Sequence, residues 1–186
     1  MFLDMKESTT IAEKIGHKNH YELINEYYSD MTNAIVQTQG AIYQYVGDEI
    51  VVSWKLEEGL KNSNCLQCFF FLEKEIMRKS DHYISKYGVV PGFKAGYHCG
   101  EVTRGQVGQI KRDLLCTGDV LNTTARIQGL CNQLGVNLLI SAALKEILPK
   151  NNFIFNPKGE LELKGREKKE ELYVCCEFRS VHIIFR

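Results

Sequence analysis

The stretch that most constrains the fold is YQYVGDEIVVSW, which runs from Tyr43 to Trp54. Two runs rich in β-branched and aromatic residues are separated here by two residues, Gly47 and Asp48, which is the pattern of a β-hairpin. Glycine in the first central position favours a type II′ turn. Taken alone, Asp48 is a turn residue, because Asp is common in turns. The stretch therefore predicts an antiparallel strand pair with a carboxylate at its tip.

The elements on either side of this hairpin alternate between strand and helix. A short strand, MFLDMK, precedes an amphipathic helical pattern that ends near Gln39, and a second long helix is predicted from Glu57 to Tyr87. A strand in GFKAGYHCG completes the order β-α-β-β-α-β. This order is typical of a ferredoxin-like α+β sheet with its helices on one face.

A C-terminal αβ extension follows this core. EVTRGQVGQI predicts a strand paired with the one before it, DVLNTTARIQGLCNQLG a helix, NLLIS a strand and AALKEIL a short helix. Two more strands are predicted around Leu161–Leu163 and Leu172–Cys175. We expect one domain over residues 1–178 and a tail over 179–186. The first strand is shorter than the usual 5–6 residues, so we expect it to be truncated, with a sensor or membrane segment upstream.

Composition narrows the choice of partners and compartment. The net charge is zero, so we expect neither nucleic acid nor an anionic membrane surface as a partner. No apolar run approaches the roughly 20 residues of a membrane-spanning helix. The seven cysteines lie in apolar segments, and the CxxC of Cys65 and Cys68 has no second pair at zinc-site spacing. These features predict reduced, packed thiols in a cytoplasmic domain.

Two carboxylates are brought together by the predicted topology. In a ferredoxin-like sheet the first strand lies beside the central hairpin, so Asp4 at its end is expected near Asp48 at the hairpin tip. Asp4 alone would be interpreted as a helix cap. Two neighbouring carboxylates repel each other unless a cation lies between them. The following helix start, MKESTT, offers backbone N–H groups to phosphates. Together they predict a divalent metal with a nucleoside triphosphate.

A second pair of polar residues lies in the helix DVLNTTARIQ. Asn122 and Arg126 are four residues apart, so they share one helical face and can reach a single ligand. Without the carboxylate pair they would be interpreted as surface residues of an amphipathic helix. The planar guanidinium of Arg suits a phosphoryl group because it donates to several oxygens at once.

The chain resembles the catalytic domain of the class III nucleotidyl cyclases, the adenylate and guanylate cyclases. The resemblance is carried by four segments in the same order, and it extends over nearly all of the chain: FLDMKESTTIAEKIG, GAIYQYVGDEIVVSW, GFKAGYHCGEVTRGQVG and GDVLNTTARIQ. It implies an enzyme that converts ATP to 3′,5′-cyclic AMP and pyrophosphate, with GTP as an alternative substrate. It also implies a homodimer whose sites are shared between subunits.

The resemblance implies a role for each site residue. Asp4 and Asp48, helped by the carbonyl of Met5, would bind two Mg²⁺ or Mn²⁺ ions. The terminal phosphates would meet residues at the start of the first helix and near the end of the domain, namely Ser8, Thr9 and Lys164. From the other subunit, Asn122 would orient the ribose and Arg126 would stabilise charge at the α-phosphate.

The residues at the two base-reading positions depart from the family pattern. Adenylate cyclases usually carry Lys four residues before the hairpin Asp and Asp or Thr seven before the Asn, whereas guanylate cyclases carry Glu and Cys. Here these positions hold Gln44 and Leu115, and a shift of one residue would substitute Cys116. Strand alternation puts Gln44 on the same face as Ile42 and Val46. Gln can hydrogen-bond either purine, so both ATP and GTP remain candidate substrates.

Two other functions compete with a nucleotidyl cyclase. A diguanylate cyclase has a similar fold with a GG(D/E)EF hairpin, but VGDEI has one Gly and lacks the Phe. A non-catalytic module that binds nucleotide or regulates a partner would explain the unusual base-reading positions. It would have no need, however, of the complete set Asp4, Asp48, Asn122 and Arg126.

Overall fold

The structure is a computed structural model that describes residues 1–110, 112–149, 153–163 and 169–177. The strands are β1 (Phe2–Met5), β2 (Ala41–Val46), β3 (Glu49–Ser53), β4 (Phe93–Tyr97), β5 (Thr103–Val107), β6 (Asp113–Thr117), β7 (Leu138–Ser141), β8 (Phe153–Leu161) and β9 (Glu170–Glu177). The helices are α1 (Ser8–Ile15), α2 (His17–Gln37), α3 (Leu56–Leu60), α4 (Asn64–Arg78), α5 (Ser80–Tyr87), α6 (Asp119–Leu134) and α7 (Ala142–Ile147), with a short 3₁₀ helix at Lys61–Ser63.

Seven of the strands form one sheet in the order β2-β3-β1-β4-β7-β9-β8. The first four are the ferredoxin-like part, in which β1 pairs antiparallel with both β3 and β4, so the predicted fold class and the place of the first strand are confirmed. β4 and β7 run parallel, whereas the β7–β9 and β9–β8 pairs of the extension are antiparallel. β5 and β6 pair with each other in a separate two-stranded ribbon.

The two long helices of the ferredoxin-like core, α2 and α4, lie on one face of the sheet as predicted, and α6 of the extension covers the other face. The larger core packs α2 and α4 against one face, which we call the helix face: among its residues are Leu3, Met5, Tyr27, Ile35, Ile50, Val52, Phe69, Leu72, Ala95 and Tyr97. A smaller cluster joins Ile127 and Cys131 of α6 to Leu139 and Leu172 on the opposite face, the α6 face. α6 links the parallel strands β4 and β7, and such strands need a crossover rather than a tight turn.

The contact of α6 with β4 is very close, and glycine makes it possible. A Cβ placed on Gly96 would lie 2.4 Å from the backbone nitrogen of Gln128. No side chain fits in that space, so the helix backbone rests directly on the strand. The α6 face is therefore covered at β4 by the helix that carries Asn122 and Arg126.

The predicted helix and strand boundaries hold less well than the topology. The long helix expected from Glu57 to Tyr87 is interrupted where Asn62 and Ser63 adopt left-handed backbone angles, at φ 54° and 56°. β5 pairs with β6, a strand that the sequence pattern does not predict, rather than with β4. β8 covers Phe153–Leu161 and so ends where a strand was expected to begin.

The central hairpin has the expected turn but carries a bulge. Gly47 has φ 62° while Asp48 keeps a negative φ, as a type II′ turn requires. Gln44 pairs with Val51 but Ile42 pairs with Val52, so Tyr43 is an extra residue in β2. Because an extra residue reverses the alternation, Ile42 lies on the helix face while Gln44 and Val46 lie on the α6 face. The prediction that all three share a face is wrong for Ile42.

All seven cysteines are free, as predicted. Burial raises the pKa of the Cys65 thiol to about 11 and that of Cys131 to about 12, which keeps both protonated and unreactive at neutral pH. Within the described ranges, no helix combines the length and apolar character needed to cross a membrane.

Candidate functional site

Asp4 and Asp48 lie next to each other at one end of the sheet, as the topology predicts. The backbone N–H of Met5 donates to the carbonyl of Asp48 over 3.3 Å, which holds the hairpin tip against the end of β1. From α2, the hydroxyl of Tyr28 donates to the carbonyl of Gly47 over 3.0 Å. The turn is thus fixed from both sides, and its carboxylate is near that of Asp4.

Asp4 is held by two further side chains on the α6 face. The ammonium of Lys94, on β4, lies 2.9 Å from Oδ2 of Asp4, and the amide of Gln128, on α6, donates to the same oxygen over 3.1 Å. Burial of the carboxyl raises the pKa of Asp4, Lys94 opposes this shift, and Asp48 adds to it. Asp4 does not cap α1, whose N-cap residue is Glu7.

A third carboxylate borders the pair. Glu49 is the register partner of Asp4 on β3. Its partial burial and the nearby Asp4 and Asp48 raise the pKa of Glu49. Negative charge is therefore concentrated at this edge beyond what the one ammonium of Lys94 balances, and a bound cation would relieve it.

Three residues of this site are not predicted from the sequence: Lys94, Gln128 and Glu49. The sequence does single out Lys94, because it is a charged residue within FKAGY, a strand in which every residue is buried. A buried lysine is almost always paired, but the identity of its partner depends on the strand order. Gln128 carries no comparable signal in the sequence.

The segment from β1 to α1 leaves its polar groups close to the carboxylates. Glu7 adopts a left-handed conformation, and no side chain caps the first turn of α1. The hydroxyl of Ser8 hydrogen-bonds Nε2 of His20 at 2.9 Å, while Thr9 is exposed. An uncapped N-terminus offers backbone donors to an anion. Ser8 and Thr9, the predicted phosphate ligands, thus lie three and four residues beyond Met5 in the sequence. The hydroxyl of Ser8 already forms a hydrogen bond with His20.

Asn122 and Arg126 both lie on α6. Asn122 is exposed and Arg126 is half-buried. Gln128, which contacts Asp4, lies two residues after Arg126 and so about 200° around the helix axis. Arg126 is therefore directed away from the Asp4 of its own chain. Among the described residues, Arg126 has no ion-pair partner.

The two base-reading candidates lie on neighbouring elements. Gln44 is exposed on the α6 face of β2, and Leu115 is 43% exposed on β6. A cavity of about 660 Å³ opens between these elements and α6, and it is lined by Tyr43 and Cys116 but by neither Gln44 nor Leu115. Of the two candidates for the second base-reading position, Leu115 and Cys116, the structure thus places Cys116 at the cavity wall. Lys164, the third predicted phosphate ligand, lies outside the described residues.

The donors fit a hard divalent cation only in part. Carboxylate oxygens are suitable ligands for Mg²⁺ or Mn²⁺. In the part of the chain that the structure describes, no group of three or more His, Cys, Asp and Glu could hold a metal by itself. The remaining ligands would have to be backbone, water and substrate oxygens, which is how Mg²⁺ is usually held at nucleotide sites.

The chain is similar to known proteins of one family. Residues 1–176 match the sequence model of the family described as "Adenylate and Guanylate cyclase catalytic domain". "Adenylate cyclase 2" of Rhizobium meliloti (strain 1021) is 32% identical over 170 residues, which are 91% of this chain and 47% of that protein. The chain thus spans about half the length of this relative.

Solved structures of this kind share the fold. The adenylyl cyclase CyaB from P. aeruginosa superimposes with a TM-score of 0.81 at 18% identity, over 96% of this chain and 93% of that one. The guanylate cyclase domain of RhGC from Catenaria anguillulae, in complex with GTP, gives a TM-score of 0.74 at 17% identity, over 95% and 93%. At these identities the likeness shows the fold alone.

The contact between Lys94 and Asp4 predicts a stability effect. The side chain of Lys94 is 9% exposed and that of Asp4 23%, so Lys94→Met should destabilise the metal-free protein by about 2 kcal/mol at pH 7 because it leaves a carboxylate without its partner. A carboxyl whose pKa is raised by folding adds stability at low pH and loses it as the pH rises through that pKa. Removing Lys94 raises the pKa of Asp4 further.

The loss of unfolding free energy in Lys94→Met should therefore become smaller as the pH falls toward 3.8, the ordinary pKa of Asp. Urea unfolding at pH 7 and pH 4 in the presence of a chelator measures both values. Lys74→Met is the matched control, because Lys74 pairs with Glu177 at 3.2 Å on the surface, where such a pair contributes less than about 1 kcal/mol. Equal losses in the two variants would contradict a special role for Lys94.

Proposed function

The chain belongs to the adenylate and guanylate cyclase catalytic domain family, and from that premise we propose that it converts ATP to 3′,5′-cyclic AMP and pyrophosphate. The observation that carries this proposal is the pair of carboxylates, Asp4 and Asp48, held together at the ends of neighbouring strands. The pair is held by contacts from β1, β4, α2 and α6, as expected of a preorganised site.

Asp4, Asp48 and the carbonyl of Met5 are the groups that would hold the metal ions. We infer two Mg²⁺ or Mn²⁺ ions per site, by analogy with the family. When bound, such ions lower the pKa of the attacking hydroxyl and neutralise charge that develops on the phosphates. Lys94 and Gln128 both contact Oδ2 of Asp4, so they fix the direction in which its other oxygen faces.

The reaction itself is an in-line phosphoryl transfer. The 3′-oxygen of the ribose forms a bond to the α-phosphorus, the bond to the β-phosphate oxygen breaks, pyrophosphate leaves, and the hydroxyl proton passes to solvent. Asn122 orients the ribose, and the fork of Arg126 stabilises charge on the α-phosphate. The N–H groups at the start of α1, with Ser8, Thr9 and Lys164, hold the β- and γ-phosphates.

We infer that each site is shared by two subunits. Within one chain, α6 directs Gln128 to Asp4 and turns Arg126 away from it, so Arg126 would serve the carboxylates of a partner. Exposed apolar residues lie on the ribbon and beside the cavity, among them Val102, Val107 and Leu115. Exposed apolar patches of this kind mark surfaces that contact another protein. A symmetric homodimer would contain two sites.

The free thiols and the substrate both suit the cytoplasm. Seven unpaired cysteines in one domain are typical of a reducing compartment. ATP and Mg²⁺ are available there as well. We therefore place the catalytic domain in the cytoplasm.

GTP is the second candidate substrate, and one observation favours it. Cys116 lines the cavity beside β2, and guanylate cyclases of the family carry Cys at their second base-reading position. Gln44 offers both a donor and an acceptor, so it can pair with either purine.

The proposal predicts a defined product. Purified protein with Mn²⁺ and ATP should form cyclic AMP and pyrophosphate in equal amounts, resolved by chromatography. Asp48→Asn should lower the rate at least about a hundredfold, because metal coordination contributes several kcal/mol to the transition state. Asp81→Asn, an exposed carboxylate on α5, is the matched control and should keep full activity. Nucleotide binding without any cyclic product from ATP or GTP would identify a non-catalytic module instead.

The base-reading positions predict a change in substrate preference. Gln44→Lys adds a donor for the adenine edge, and Cys116→Thr adds a hydroxyl at the cavity wall. The double variant should raise the ratio of kcat/KM for ATP over GTP by about tenfold, the effect of one good hydrogen bond. Gln44→Lys with Leu115→Thr should change the ratio less, since Leu115 does not line the cavity. An unchanged ratio in both double variants would exclude these positions from the base site.

A further inference from the structure

The ribbon of β5 and β6 is weakly tied to the rest of the domain. In the described ranges its strands pair only with each other, and every residue of β5 is exposed. A two-stranded ribbon is marginally stable in water on its own. The position of β6, which carries Leu115 and Cys116, must therefore depend on contacts with the body of the domain.

One such contact is a hydrogen bond from the ribbon to β2. The backbone N–H of Cys116 donates to the hydroxyl of Tyr43 over 2.7 Å, across 73 residues of sequence. Tyr43 and Cys116 also line the same cavity, together with Phe2 and Val51. The bond thus joins the two base-reading elements at the wall of the cavity that they share.

The bulge in β2 gives Tyr43 this position. In an unbroken hairpin Tyr43 would face Val52, whose side chain is buried in the core of the helix face. As the extra residue of the bulge, Tyr43 is released from the ladder and reaches the ribbon. Gln44 stays paired with Val51 on the α6 face, because the bulge lies between Ile42 and Gln44. The bulge therefore places Tyr43 against the ribbon directly beside Gln44.

We propose that Tyr43 is a positioning residue for recognition of the purine base: its hydroxyl fixes β6 against β2, so that Cys116 and Gln44 are presented to the base at a set separation. This role rests on the proposed cyclase function. The ligand concerned is a purine nucleoside triphosphate. Tyr43 acts through the backbone of Cys116, and the metal-binding carboxylates at the other end of the hairpin do not depend on it.

Tyr43→Phe tests this role, because it keeps the ring and removes only the hydroxyl. Hydrogen exchange followed by mass spectrometry should show about fivefold faster exchange across β6, the effect of one lost neutral hydrogen bond. The KM for ATP should rise about fivefold, kcat at saturation should stay within twofold, and the ATP/GTP ratio of kcat/KM should move toward one. Tyr45→Phe, on the helix face of the same strand beside Tyr28, is the matched control and should change none of these.

Exchange across β6 that is unchanged in Tyr43→Phe would overturn the proposal. So would a loss confined to kcat, because that would indicate a role in the chemistry rather than in placing the base. The exchange measurement needs no activity. If the wild-type protein forms no cyclic nucleotide but Tyr43→Phe still frees β6, the proposed function fails while the structural role of Tyr43 stands.

Discussion

The carboxylate of Asp4 is the point at which the separate parts of this domain meet. β1 lies between β3 and β4, so Asp4 receives the repulsion of Asp48 and Glu49 from one side and the attraction of Lys94 from the other. Gln128 reaches it from α6. A carboxylate with this much burial keeps its charge only where a cation is close. Lys94 provides part of that positive charge, and a bound divalent metal ion would provide the rest.

The close contact of α6 with β4 determines where the two proposed catalytic residues of that helix, Asn122 and Arg126, are directed. Because Gly96 has no side chain, the backbone of Gln128 lies directly on the strand, and the rotation of α6 is thereby set. One side of the helix then contacts Asp4, while Asn122 and Arg126 face elsewhere. In the proposed account these residues and Asp4 are the two halves of a site that do not meet within one chain, so catalysis needs a second copy.

The order of the strands and the pairing of Asp4 with Asp48 follow from sequence pattern, because alternation, turn chemistry and the βαββαβ order agree. The face of Ile42 does not follow, since the bulge between Ile42 and Gln44 depends on tertiary contacts such as that between Tyr43 and Cys116. Lys94 and Gln128 could not be assigned either, because their partner is distant in sequence. The break at Asn62 and Ser63 is likewise invisible to helical periodicity. Local pattern predicts elements, whereas long-range contacts decide faces and partners.

The central claim is that Asp48 of one subunit and Arg126 of the other serve the same site, and mixing two inactive variants tests it most directly. Asp48→Asn and Arg126→Ala are refolded separately and together, and cyclic nucleotide formation is measured at equal total protein. Half of the mixed dimers are heterodimers with one intact site of two, so the mixture should regain about a quarter of wild-type activity. Activity no greater than that of the separate variants, with heterodimers present, would contradict the shared site.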